Sequence, residues 1–245
     1  MNVSTEAEVP KPARRRAPPA LIALVAPDSG MELQARVGTA RLPFLIAFLC
    51  AVLAGFAQAY RVDTRSATLK KLEQGGQLQT MSDRQLDDET RNADRLYQVM
   101  RVGKGLFEAP VSLGLTALGV VILVWFLRGK IKGRAVVPVA AATLLPNAVA
   151  NLLDAVSAWS HASLPPLGAM LAPRNLAGVA AAFGHTLEQP WLKLGSAFDF
   201  FSLWAALLLG FGVAAAGDLP VRRALIGTLA GWVCWQLLTN VSLGG

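Results

Sequence analysis

Charged residues divide the chain into a few short polar stretches and five long apolar runs without an ionisable side chain, 42–60, 109–127, 135–153, 200–217 and 224–245. These hold 19, 19, 19, 18 and 22 residues. At a rise of about 1.5 Å per residue, helices of that length span about 27–33 Å, the thickness of a bilayer's hydrocarbon core. None alternates polar and apolar residues as a barrel strand would, and a backbone facing lipid must satisfy its amides within its own segment. The expected fold class is therefore all-α: a polytopic membrane bundle of five transmembrane helices at 42–60, 109–127, 135–153, 200–217 and 224–243. A sixth uncharged run, 175–187, has 13 residues. It is too short to cross and reads as an interfacial or re-entrant helix in an outer loop, 154–199.

Two spans carry further signals. In the third, Pro138, Pro146, Asn147 and Asn151 would kink a helix and need polar partners, which places it inside the bundle. The first ends in Ala57-Gln58-Ala59, a small-x-small tripeptide like a leader-cleavage site, and Met31 is an alternative start. A 41-residue leader is long, so a permanent anchor is the preferred reading, with cleavage as the alternative.

The one sizeable polar segment, 61–108, is expected to be a helical loop. Ser82-Asp83-Arg84-Gln85 has the S-x-x-Q form of a capping box, and Leu86, Ala93, Leu96 and Met100 follow at helical spacing, giving a helix from about 83 to 101. Asp83, Asp87, Asp88 and Glu89 crowd its first turns and Arg91, Arg95 and Arg101 its later ones, as the helix dipole prefers, with Asp87 four residues before Arg91. It reads either as a docking helix or as an amphipathic hairpin lying on the bundle or on lipid.

Composition then narrows the class. Hydrophobic residues are 53% and charged residues 16%, against roughly 25% charged in an ordinary soluble domain, and mean hydropathy is +0.44. The net charge of +7 does not point to nucleic acid, because the basic residues flank apolar runs instead of lining one helical face. Residues 1–41, with Pro10, Pro12, Pro18 and Pro19 beside Lys11, Arg14, Arg15 and Arg16, are expected to be a disordered basic tail. This tail, the 128–134 loop with four positive charges, and Arg222–Arg223 fall on one side of a five-span bundle. That side is expected to be cytoplasmic, with the C-terminus periplasmic; the short 128–134 loop decides the orientation.

Chemistry is sparse. Glu108, Asp154 and Asp199 are the ionisable residues close enough to spans to serve a proton or ion path, but all three sit at span ends, where a carboxylate can stay hydrated. Asp199 precedes Phe200-Phe201-Ser202-Leu203-Trp204 and is expected to cap the fourth helix. His161, His185 and Glu188 share the outer loop without a third convergent ligand, so no metal is expected. No G-x-S-x-G, Walker A or GxGxxG is present, and Cys50 and Cys234 lie inside apolar runs; neither an enzyme nor a cofactor is expected. Gly210 and Gly212 in the fourth span, and Gly227-x-x-x-Gly231 in the fifth, offer small faces on which those two spans are expected to pack as a hairpin, with dimerisation as the other use.

The order of elements, together with Asp199-Phe200-Phe201-Ser202-Leu203-Trp204, Leu209-Gly210-Phe211-Gly212 and Leu145-Pro146, resembles the Yip1-domain family in its prokaryotic branch, over about residues 40–241. The resemblance implies a five-span integral membrane protein, domain 42–243, with a cytoplasmic N-terminus in the bacterial inner membrane. Eukaryotic members bind prenylated small GTPases in vesicle traffic; the DLYGP-like and YGY-like motifs of those members are absent, so GTPase binding is not expected. The family supplies no catalytic residues. The expected function is non-enzymatic: membrane organisation or scaffolding through helix packing and the 61–108 loop, with the lipid bilayer, further copies of the chain or other membrane proteins as partners. The alternative is a small transporter or channel subunit using the third span broken by Pro146 and Asn147 and the carboxylate of Asp154.

Overall fold

Long uncharged runs leave helix as the backbone's way of satisfying itself, and the computed structural model is all-helical among the residues it describes: 17–76, 79–160, 179–180, 183, 195 and 199–241. The expectations for residues 1–16, His161, His185 and Glu188 lie outside those described residues, as does the run 175–187 apart from 179–180 and 183. In chain order the helices are α1 (Pro19–Val25), α2 (Pro27–Val37), α3 (Arg41–Arg61), α4 (Thr64–Gln74), α5 (Asp83–Phe126), α6 (Gly133–Thr143), α7 (Leu145–Ser160), α8 (Phe200–Gly217) and α9 (Val221–Val241). Among the described residues, four stretches are long and apolar enough to cross a membrane by length and composition: α3, the apolar part of α5, the broken helix α6–α7 (Gly133–Ser160) and α8. The fifth expected span corresponds to α9, 21 residues long, which is not among those four and carries Arg222 and Arg223 in its first turn.

The polar helix and the second span prove to be one element. α5 runs unbroken for 44 residues, about 66 Å, more than twice the roughly 30 Å of a hydrocarbon core. It starts at the capping box read from the sequence: Ser82 N donates to Gln85 Oε1 at 2.9 Å and Gln85 N to Ser82 Oγ at 3.4 Å. Pro110 lies inside it without ending it. α4 folds back along the polar half, capped by Asp63, which accepts from Arg65 N and Ser66 N. Thr64 Oγ1 donates to Asp94 Oδ1 at 3.0 Å, and Arg65 pairs with Asp87 at 3.7 Å. Asp87 also meets Arg91, at 3.7 Å.

At the opposite end of the bundle the turns after α5 and α8 are joined backbone to backbone. Lys130 N donates to the Gly217 carbonyl at 2.8 Å and Lys132 N to that of Ala216 at 2.9 Å. Gly129 permits this approach, since a Cβ there would stand 2.7 Å from the Gly217 oxygen. Arg128 and Asp218 both take left-handed φ of 55°, and Lys132 Nζ meets Asp218 Oδ1 at 3.1 Å. We call this the basic end and the opposite one the stalk end.

Residues 19–37 correct the expectation of a disordered tail throughout 1–41. Pro19 and Pro27 each open a helix at the position where a missing N–H costs nothing. The helices carry enough small and apolar surface to seat: Ala23 and Met31 are completely buried. Gln34, also buried, donates from Nε2 to the carbonyls of Pro138 at 3.1 Å and Thr39 at 3.2 Å, tying α2 to α6. The basic cluster that dominated the tail's composition lies N-terminal to this segment, at Lys11–Arg16.

On α3 and the outer side of α5 the packing is the inverse of a soluble core, although Met31, Leu145 and Leu208 are buried in the main cluster. On α3, Ala47, Ala51, Ala54 and Ala57 are buried while Leu45, Leu49, Leu53 and Phe56 are exposed. On α5, Leu115, Leu118, Ile122 and Trp125 are likewise exposed. Small residues inside and large apolar residues outside are what close helix packing in an apolar solvent selects, whereas water would drive the large side chains inward.

Candidate functional site: a polar cluster where three helices meet

The alanine face of α3 brings it against both α5 and α7. The α3–α5 crossing is so close that a Cβ on Gly55 would stand 2.8 Å from the Arg101 carbonyl oxygen, and one on Gly105 2.8 Å from that of Ala51. The crossing therefore requires glycine on both helices. On the third side, Ala54 and Ala57 of α3 pack on Ala155 and Ala158 of α7.

One turn from the glycine crossing, these small faces carry polar side chains inward. Gln58 of α3 donates from Nε2 to Asp154 Oδ2 of α7 at 3.5 Å, and Asn151 of α7 donates from Nδ2 to Glu108 Oε1 of α5 at 2.9 Å. Asn151 and Asp154 are one helical turn apart, so α7 supplies the centre of the cluster and its neighbours one partner each. Asp154 is only 2% exposed, which corrects its reading as a hydrated span-end carboxylate. Counting uncharged residues ended the third span at 153, but α7 continues to Ser160 and carries Asp154 into the packed interior. Glu108 and Asn151 are half-buried. A buried carboxylate held by an amide, beside a second such pair, can bind a proton or join helices that have no water-driven reason to associate.

The other residues singled out from the sequence are dispersed. Asp199 caps α8 as expected, accepting from Phe201 N at 2.7 Å and Ser202 N at 3.4 Å. Gln236 of α9 donates to Ser202 Oγ at 3.4 Å, linking the two helices at the stalk end. Trp204 packs on the main core and lies 6.3 Å, ring to ring, from Phe200. Pro146 is fully buried, but Asn147 is exposed, which corrects its placement inside the bundle. Pro146 cannot donate to the carbonyl four residues back, and α6 gives way to α7 at Leu144, so Asn147 turns outward and the inward amide is Asn151.

The expected hairpin of α8 and α9 forms, though not along Gly227 and Gly231. Its close contact is Gly210 against Leu225, where a Cβ would come 2.6 Å from Leu225 Cδ2. Gly212 faces Val139 of α6 and Met31 of α2; Gly227 faces Leu127; Gly231 has open space. Spacing identified the small residues but not their neighbours. Among the described residues no three His, Cys, Asp or Glu side chains group as metal ligands. The α1–α2 seat and the Gly55–Gly105 crossing had no counterpart in the sequence reading, although Gly-x-x-x-Ala on α3 and Gly-x-Gly on α5 were available signals for the latter.

Comparison with protein-family models, curated proteins and solved structures finds no match for this chain.

Proposed function

We propose that the chain is a non-enzymatic, five-span integral membrane protein of the bacterial inner membrane, N-terminus cytoplasmic and C-terminus periplasmic. In this reading it is Yip1-like and acts as a membrane-organising scaffold through its helix faces and the 61–108 segment. One observation carries the scaffold role: α5 is about twice as long as a bilayer needs, and its polar half, ahead of the α3 crossing at Arg101, extends past the length of a span as a stalk with α4 folded along it. Leu96, Val99 and Met100 lie at i, i+3 and i+4 on that stalk and are 62%, 70% and 64% exposed, an apolar row on which another protein can seat. Counting α9 as the fifth span is supported by its 21-residue length and its packing along α8. The experiment is a photo-crosslinker at position 99 in intact membranes, with and without Leu96→Asp and Met100→Asp. A discrete crosslinked partner or second copy, lost in the variant, supports the scaffold; no adduct, with a monomer in detergent, defeats it.

The Asp154 cluster favours a second reading, a small transporter or channel subunit in which Asp154 and Glu108 relay a cation or proton. Proteoliposomes of the wild type should then dissipate an imposed proton or sodium gradient, and Asp154→Asn should abolish this. Identical leakage in wild type, variant and empty liposomes removes this reading.

A further inference from the structure

At the basic end, a groove of about 390 Å³ lies between the C-cap of α5 and the start of α9, lined by Leu127, Pro220, Arg222, Arg223, Ile226 and Gly227. Its floor exists because Gly227 has no side chain: a Cβ there would already touch Leu127 at 3.2 Å. The wall is open on its outer side, where Ile226 is 60% exposed. Apart from the two arginines the lining is apolar, and it contains no acid.

Among the described residues, no acid pairs with the arginines at the groove's mouth; Asp28 and Glu32 line the neighbouring cavity with Asp218. Arg222 and Arg223 are exposed and have no ion-pair partner among the described residues. The nearest acid in sequence, Asp218, is engaged by Lys132 at 3.1 Å. The zipped turns also hold Arg128 and Lys130 on the same end of the bundle. An open apolar groove with two guanidiniums at its mouth that have no ion-pair partner among the described residues matches an amphiphile whose charged end is anionic. A free phosphate would leave the groove unfilled, and a zwitterionic headgroup would find no acid in the lining for its cation.

We propose that this groove is a binding site for an anionic phospholipid, its phosphate on Arg222 and Arg223 and an acyl chain along Leu127, Ile226 and Gly227. Basic pockets between spanning helices on the cytoplasmic side recognise such lipids by this combination of charge and apolar contact. The inference rests on α9 crossing the bilayer. Labelling that places residue 223 and a cysteine appended after Gly245 on the same membrane face defeats the span reading, whereas unselective lipid binding with the topology intact defeats the lipid site alone.

The test is native mass spectrometry of the full chain released from detergent, titrated with phosphatidylglycerol and with phosphatidylcholine of the same acyl chains. The wild type should bind phosphatidylglycerol about tenfold or more tightly than phosphatidylcholine. The Arg222→Gln/Arg223→Gln double variant should lose that preference, and Ile226→Trp, which fills the groove and keeps the charges, should weaken phosphatidylglycerol binding. Arg84→Gln/Arg91→Gln on the stalk should change nothing. Equal affinity of the wild type for the two lipids overturns the proposal whether or not the variants fold. So does a preference that survives loss of both arginines, or complete displacement of phosphatidylglycerol by millimolar inorganic phosphate, which would mark a free-anion site.

Discussion

Two glycines decide how closely α3 approaches α5, and their effect is separable from that of the chain's other glycines. Gly55→Val or Gly105→Val forces a side chain against backbone that cannot yield, so either should destabilise the bundle by about 1–3 kcal/mol or more. Gly103→Ala, two residues away with nothing within 4 Å, should instead be neutral or stabilising by about 0.5–1 kcal/mol. Thermal unfolding in detergent compares the three directly. A second residue-scale expectation concerns the buried amide: Gln58→Leu removes a donor from Asp154 and should cost about 1–3 kcal/mol, while Gln58→Leu with Asp154→Leu should recover much of the loss. A double-variant cost equal to the sum of the Gln58→Leu and Asp154→Leu costs would show that the pair is not coupled. At this scale the sequence was informative about identity and weak about surroundings. Asp199 was legible as a cap because capping is local. Asp154 was misplaced because its burial depends on a neighbouring helix and on a span that runs past its last uncharged residue.

Helix beginnings were the most legible feature at the scale of elements, since capping chemistry is written within four residues. Ser82→Ala should cost about 0.5–2 kcal/mol locally and speed amide exchange at residues 83–86. The apolar half of α5 should be unaffected; exchange rates unchanged over 83–86 would mean that the box does not hold the stalk's end. Continuity was less legible. The change from charged to uncharged residues after Glu108 marks a change of surroundings, not of backbone, and Gly103, Gly105 and Pro110 are all accommodated within α5. Composition misled most at the N-terminal segment, where Lys11–Arg16 set the average for 1–41. The chain from Pro19 to Val37 has the small and apolar residues needed to wedge Met31 between α6 and α8.

Among the described residues, the small faces join these observations: alanine and glycine line the α3 contacts while the leucines of α3 face out, and buried Gln34, Thr64 and Asp154 are bonded across helices. Length and charge spacing anticipated the all-helical class and the apolar helices. They could not specify which small faces meet, because a small residue fits against many neighbours. The central claim is five crossings with the turns at 128–134 and 217–223 on one face. Its most direct test is cysteine labelling in intact bacterial cells after Cys50→Ala and Cys234→Ser, with single probes at Gly75→Cys, Lys130→Cys, Arg223→Cys and a cysteine appended after Gly245. The account predicts that an impermeant reagent reaches the probes at 75 and after 245 and spares those at 130 and 223 until the membrane is opened. Labelling of 130 and 223 from opposite faces, or a C-terminal probe on the same face as 223, would contradict it.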